Sequence, residues 1–288
     1  MGTPRLASRN DRPGTAIMTR SLRRPTARGL PLRAVAPNAV TALALCSGLT
    51  GIRFAIAGQW ETAVVMVMIA SVLDGIDGRI ARMMRGESRF GAELDSLSDA
   101  ISFGVSPALI LYLWSLQDLP RVGWLIALVF AVFCALRLAR FNAAIDVADQ
   151  PHKSAGFLTG SPSPVGAGLA MLPMYLWFWT GLDLWRSPLI VGPWVAVMAV
   201  LMVSSVATYS WSSLKLRHNI RFEAIAVVVL LGAALVSAPW HTLTFLCSAY
   251  LATLPFSIAA YARVRRLRAT AGETSGSPSG SAREAELR

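Results

Sequence analysis

Charge is scarce in this sequence. Asp, Glu, Lys and Arg make up 15% of its 288 residues, well below the roughly 25% usual in soluble domains. Lysine is nearly absent: only Lys153 and Lys215 stand among 27 basic residues, an arginine excess read as base composition. The three cysteines, Cys46, Cys134 and Cys247, lie far apart in apolar stretches. That excludes a disulfide framework and any thiolate metal site, and leaves them as small buried hydrophobes. His152, His218 and His241 show no mutual spacing, which removes a histidine metal centre and histidine-based catalysis. No nucleic-acid-binding motif accompanies the net charge of +11. The basic residues gather in the tails and alternate loops, so the charge points to anionic lipid headgroups and membrane topology, not to nucleic acid.

What is abundant is apolar. Hydrophobic residues are 54% of the chain and the mean hydropathy is +0.51. Eight apolar segments follow one another near 38–58, 61–83, 92–116, 122–143, 163–181, 188–209, 221–238 and 240–262. Several approach the roughly 20 residues that span a bilayer. The expected fold is therefore all-α: a polytopic integral membrane helix bundle of about eight transmembrane helices. With the Arg-rich N-terminus inside, Arg82, Arg85 and Arg89, then Arg140 and Lys153, then Lys215, Arg217 and Arg221, and finally Arg263 to Arg268 all fall inside; Arg121 and Arg186 fall outside. That asymmetry obeys the positive-inside rule and places both termini in the cytoplasm. Most tryptophans lie near span ends, as an interfacial belt requires. Residues 1–36, with eight arginines, read as a disordered basic tail with room for a short interfacial helix near 20–35. That tail has no apolar core of a signal peptide, and Met18 is an alternative start. Residues 37–265 read as the membrane domain, and 266–288 as a second disordered cytoplasmic tail.

Against this background the stretch "SVLDGIDGRIARMMRGESRFGAELDSLSDAISFG", residues 71–104, is anomalous. It sets Asp74, Asp77, Asp95 and Asp99 beside helix-like apolar sequence. An aspartate at the bilayer centre costs about 2.5–3.5 kcal/mol on the insertion scale. Offsets of three, four, seven and eight residues put Asp74, Asp77, Gly78, Ala81 and Arg82 on one helix face. Asp95 and Asp99 share the face of the next helix, and the short link 83–90 lets the two run antiparallel with their aspartates opposed. Oxygen-only ligands suit Mg²⁺, Mn²⁺ or Ca²⁺ and make zinc a poor match. Two such ions would clamp a phosphoryl centre. Gly75, Gly78 and Gly91 on or beside these faces admit two readings, tight helix packing or room for a ligand.

The full pattern is D-x₂-D-G-x₂-A-R-x₈-G-x₃-D-x₃-D, eight specified residues over 26 positions, all filled. It resembles the signature of the CDP-alcohol phosphotransferase family of membrane enzymes. "PNAVTALALCSGL" (37–49), "LDSLSDAISFGVSPA" (94–108), "ALRLARFNA" (135–143) and "GSPSP" (160–164) resemble the bacterial branch of that family that uses serine. The likeness covers roughly residues 35–262, with departures at Val165-Gly166 and over 203–215.

The resemblance implies a reaction: CDP-diacylglycerol plus L-serine gives phosphatidylserine plus CMP. It implies a catalytic core of six helices with two added, and two divalent ions, Mg²⁺ or Mn²⁺, on Asp74, Asp77, Asp95 and Asp99, with Asp99 also the general base. It implies a CDP site shaped by Gly78, Arg82 and Gly91, with Asn38 beside it, although Asn38 would equally serve as a helix cap. Arg137, Arg140 and Asn142 are the candidates for holding the acceptor. The implied partners are CDP-diacylglycerol, serine, membrane lipids and a second copy in a homodimer. The implied place is the bacterial inner membrane, with the active site on the cytoplasmic side. Two other readings stay open: another acceptor alcohol (glycerol phosphate, inositol phosphate or choline), and a cation transporter.

Overall fold

The computed structural model describes residues 32–84, 89–145, 157–159, 162–204, 207–209 and 221–253. The tails at 1–31 and 254–288 lie outside the described residues, as does the link 85–88. All described residues belong to one compact unit.

The chain runs as α1 (Leu32–Ile56), α2 (Trp60–Met84), α3 (Arg89–Asp99), a π-turn (Ala100–Val105), α4 (Ser106–Trp114), α5 (Val122–Ile145), β1 (Phe157–Thr159), α6 (Ser163–Ala170), α7 (Leu172–Thr180), α8 (Pro188–Val203), β2 (Ala207–Tyr209) and α9 (Arg221–Ser237), with a final helix α10 over 239–253. Each of the eight apolar segments is helical over most of its described length. Among the described residues, three helical stretches are long and apolar enough to cross a membrane: Ala36–Ile56, Arg89–Trp114 and Val122–Ala143.

Breaks fall where the sequence places prolines and glycines. Gly58 (φ 71°) turns α1 into α2, and Gly181 (φ 66°) closes α7, its N–H donating to the Trp177 carbonyl at 2.9 Å. Both adopt the left-handed region that glycine enters without steric cost. Pro173 interrupts the fifth hydrophobic stretch into α6 and α7 because it has no N–H to give. Pro239 separates α9 from α10, and the Thr242 hydroxyl closes the seam onto the Ala234 carbonyl at 3.0 Å.

One expectation needs correction. The segment expected to be helical to 209 ends at Val203, and Ala207–Tyr209 instead pairs antiparallel with Phe157–Thr159. The sequence after Val203 is Ser-Ser-Val-Ala-Thr-Tyr, whose serines compete for backbone hydrogen bonds and whose β-branched and aromatic residues favour an extended chain. A two-stranded ladder of three residues each thus sits in an otherwise helical bundle.

α1 packs along α2 and also against α3, the π-turn and α4; α5 packs against α8. The core is filled by Phe103, Ile110, Leu111, Trp114, Phe130, Met171 and Met174, each at most 1% exposed. Large apolar side chains such as Ile56, Val72, Leu189, Val236 and Phe245 point outward. An apolar core inside an apolar surface is what a bilayer solvates.

Candidate active site

α2 and α3 meet the site from opposite sides, both leaning on α1. α2 supplies Asp74, Gly75, Asp77, Gly78 and Arg82 from its last three turns. α3 supplies Asp95 and Asp99, one turn apart at its end. One carboxylate oxygen each from Asp74, Asp95 and Asp99 lies within 4.8 Å of the other two. At that separation, 4.8 Å, each like-charged pair repels by about 3–4 kcal/mol at an effective dielectric of 20. Nothing in helix packing alone requires such a cluster.

Asp77 is placed differently. It is 3% exposed, and its Oδ2 has no hydrogen-bond partner. Thr41 of α1 and the Gly78 backbone are the polar groups at this carboxylate. A buried carboxylate oxygen left bare is costly unless a cation or donor completes it. A side-chain carbon added at Gly75 or Gly78 would meet nothing within 4 Å, so these glycines hold open space. The packing glycines are elsewhere: a side-chain carbon added at Gly48 or Gly51 of α1 would lie 2.6 Å from Ser102 Oγ or 3.1 Å from the Ala63 carbonyl.

Two adjoining cavities share Asp77, Gly78, Arg82, Asp95 and Phe141. The first, about 540 Å³, is lined further by Asn38, Thr41, Ala81 and Gly91. The second, about 400 Å³, is lined by Asp74, Gly75, Ser96, Asp99, Arg137, Asn142 and Ser163. The four aspartates, with Gly75, Gly78 and Gly91, therefore border these two adjoining cavities. So do Asn38, Arg82, Arg137 and Asn142.

Arg140 does not. It is exposed and lines neither cavity. On α5 the lining face is Arg137, Leu138, Phe141 and Asn142. At about 100° per residue, Arg140 stands roughly 130° from the middle of that arc.

Polar partners fix several lining groups. Arg82 Nε donates to the Gly78 carbonyl of its own helix at 2.8 Å. Asn142 Nδ2 donates to Ser96 Oγ at 2.8 Å, tying α5 to α3. Arg137 Nη1 donates to Ser163 Oγ at the start of α6, while its buried Nε has no partner. Three contributors escaped the sequence reading. Thr41 lies one turn beyond Pro37 and Asn38 on the same face, a spacing that signals it. Ser96 follows Asp95 directly. Tyr250 of α10, a helix expected to be accessory, lies within electrostatic reach of Arg137.

A larger cavity, about 610 Å³, lies at the other end of α2, bounded by Trp60, Glu61, Trp177, Phe178 and Asp183. Seventeen residues separate Trp60 from Asp77, about 25 Å of helix. Size therefore does not mark the chemical site; the carboxylates do.

The family model for CDP-alcohol phosphatidyltransferases matches residues 34–211, and a second, CDP-alcohol phosphatidyltransferase 2, matches 219–255. The chain belongs to the CDP-alcohol phosphatidyltransferase family. It is 39% identical over 235 residues to the CDP-diacylglycerol–serine O-phosphatidyltransferase of Mycobacterium tuberculosis (strain H37Rv), covering 80% of both chains. The protein of that name from Helicobacter pylori (strain 26695) is 32% identical over 198 residues, 67% of this chain and 79% of that one. The one from Bacillus subtilis (strain 168) is 30% identical over 159 residues, 55% of this chain and 81% of that one. Membership makes this a membrane-embedded transferase acting on a CDP-linked lipid and an alcohol with a divalent metal. The clustered oxygen donors and the bare Asp77 Oδ2 fit such a hard cation.

Proposed function

We propose that the protein transfers the phosphatidyl group of CDP-diacylglycerol to the hydroxyl of L-serine, releasing CMP. The relatives that share most of the chain carry that activity in their names. The observation that carries the reading is the placement of Arg137. A guanidinium with one nitrogen on Ser163 and a bare, buried Nε borders the same cavity as Asp99. A planar cation with an unspent donor suits the carboxylate of an amino-acid acceptor. Ser96 and Asn142 beside it offer neutral hydrogen bonds. Arg82 also lines this cavity but is assigned to the diphosphate, which leaves one guanidinium for the acceptor, where a phosphorylated acceptor calls for several.

The serine oxygen forms a bond to the phosphorus that carries diacylglycerol, and the bond from that phosphorus to the CMP oxygen breaks. Asp99 takes the hydroxyl proton, and CMP leaves as an anion. Asp74, Asp77, Asp95 and Asp99 would hold Mg²⁺ or Mn²⁺, two ions by the count of carboxylates. Such ions would supply positive charge opposite the diphosphate and the leaving CMP. Asn38, Gly78, Arg82 and Gly91 border the space for the cytidine diphosphate, and the bare faces of Gly75 and Gly78 let a flat group approach the backbone. The chain sits in the bacterial cell membrane as about eight spans with both tails and this site on the cytoplasmic side, a placement supported by the arginine distribution.

The deciding experiment is CMP release by the full chain in detergent with CDP-diacylglycerol and Mn²⁺ or Mg²⁺. L-serine is compared with glycerol 3-phosphate, inositol phosphate and choline. Serine-dependent release, reduced about 10²–10⁴-fold in Asp99→Asn, is expected. Release with a different alcohol only would overturn the acceptor.

A further inference from the structure

The helix that presents Asp95 and Asp99 is not uniform. It is α-helical to Asp99, widens into a π-turn over Ala100–Val105, and resumes as α4 at Ser106, whose N–H donates to the Ile101 carbonyl five residues back. Three buried serines run through this change at four-residue intervals: Ser98, Ser102 and Ser106, exposed by 3%, 0% and 0%. Their hydroxyls all donate to carbonyls of α1, to Thr41 at 3.3 Å, Ala44 at 3.3 Å and Gly48 at 2.8 Å.

A serine in an apolar helix ordinarily satisfies itself on the carbonyl four residues back. Ser96 does so on Ala92 at 3.0 Å, and Thr50 on Cys46 at 2.6 Å. The three serines cross to another helix instead. In an α-helix of 3.6 residues per turn, positions eight apart drift by about 80°. A wider π-turn between them removes much of that drift and keeps all three on α1. The approach is close: a side-chain carbon at Gly48 would lie 2.6 Å from Ser102 Oγ and 2.8 Å from Ser102 Cα. On its far side the π-turn presses on α5, where a carbon at Gly104 would lie 3.0 Å from Cys134 Cβ. α5 is the helix that carries Arg137 and Asn142.

We propose that Ser98, Ser102 and Gly48 are positioning residues: the serine ladder and the π-turn lock the rotation of α3, and so the direction in which Asp95 and Asp99 face Asp74. Each residue of rotation moves a side chain by about 100° around the axis. Without the π-turn a uniform helix would carry Ser106 about 80° around from Ser98, and the hold of α1 on the rotation of α3 would rest on fewer serines. The inference rests on the proposed reaction for its kinetic arm alone; its metal-binding arm does not depend on the acceptor.

The test uses the full chain in detergent without substrate. Mn²⁺ binding is followed by the loss of free-ion electron paramagnetic resonance signal, beside the melting temperature and steady-state kinetics. Ser102→Ala keeps the helix-forming residue and removes the bond. It is expected to weaken Mn²⁺ binding about threefold to tenfold and lower kcat about tenfold, at the mild end of what misplacement by 1 Å costs. The KM for CDP-diacylglycerol is expected to stay within twofold. Gly48→Ala, which wedges the helices apart, should exceed Ser102→Ala on both readouts. If Gly48→Ala does not fold, Ser98→Ala takes its place, with an effect equal to that of Ser102→Ala. A fall in melting temperature with Mn²⁺ affinity and kcat both within twofold of the parent would overturn the proposal. So would a parent chain that binds no Mn²⁺. A parent that binds Mn²⁺ yet releases CMP with no acceptor would sink the proposed function and leave the binding comparison to decide this one.

Discussion

Two half-buried arginines, Arg186 and Arg137, stand at opposite ends of the bundle and are used in opposite ways. Arg186 is fully engaged with its own protein. Its Nε donates to the Trp114 carbonyl at 3.0 Å, and its own carbonyl accepts from Ser115 Oγ at 2.7 Å. Its guanidinium lies 6.0 Å from the Trp60 ring and 5.7 Å from the Trp177 ring. Trp177 in turn donates to Asp183 Oδ1 at 3.2 Å. Arg137 has one bond, to Ser163, and a buried Nε with none. Partners that close on each other build architecture; charges left incomplete mark where a ligand belongs. The indoles of Trp114 and Trp185 also lack partners. An indole, with one neutral donor, is far cheaper to leave bare than the Asp77 carboxylate.

The widest break in this contrast is a matched pair of lysines. Arg137→Lys keeps the charge but loses the planar fork. It should lower kcat/KM for serine at least about 10²-fold, with the KM for serine rising, and leave the melting temperature nearly unchanged. Arg186→Lys should do the reverse: activity within about threefold of the parent, and a stability loss of about 1–2 kcal/mol from the lost bond and ring contacts. Parallel kinetics and thermal unfolding of both variants check the pair. Equal losses of activity in the two would erase the distinction.

A smaller effect separates the two acidic groups. Asp74→Asn removes one member of a cluster whose charges oppose each other within 4.8 Å. In chelator, it should raise stability by about 1–2 kcal/mol, the signature of a site strained for function. With Mn²⁺ added the parent should gain more than the variant. Asp183→Asn, whose carboxylate accepts from Trp177, should gain nothing in chelator and respond to Mn²⁺ like the parent. Melting curves of the three proteins with and without Mn²⁺ decide it.

The aspartates were legible in the sequence because intramembrane charge is costly and helix offsets are fixed. Their four positions and the helix faces carrying them could be derived from spacing alone. The glycines were half legible. Spacing put them on the aspartate faces, but only neighbours in space separate Gly78, which opens onto nothing, from Gly48, which nearly touches Ser102. The end of α8 and the β ladder are not legible because hydropathy averages over a window, while the helix ends at Val203 and the strand begins at Ala207. The π-turn was invisible for a related reason. Its sequence, Ala-Ile-Ser-Phe-Gly-Val, is ordinary helix sequence, and its cause lies in the serines' partners on α1. Ser163 could be suspected from its run of prolines, yet its role became visible only when α6 was seen to deliver it to Arg137.

The smallest expected effect falls on Arg140, and it sharpens the comparison most finely because Arg137 is three residues away. Spacing of three residues is enough to propose a shared helix face, and both were read that way. The cavity takes a narrower arc of α5, centred between Arg137 and Asn142, and Arg140 lies outside it on an exposed surface. Arg140→Ala should therefore leave kcat and the KM for serine within about twofold to threefold. Stability should shift by no more than about 0.5 kcal/mol, as for surface changes that disturb no partner. Its remaining influence is the attraction of a surface charge for anionic lipid, about 1 kcal/mol per arginine near the headgroups. That term should appear as weaker dependence of activity on the fraction of anionic lipid in vesicles, with serine dependence untouched. A rise in the KM for serine comparable to that of Arg137→Lys would place Arg140 in the acceptor site after all and require α5 to turn by more than half of its lining arc when substrate binds.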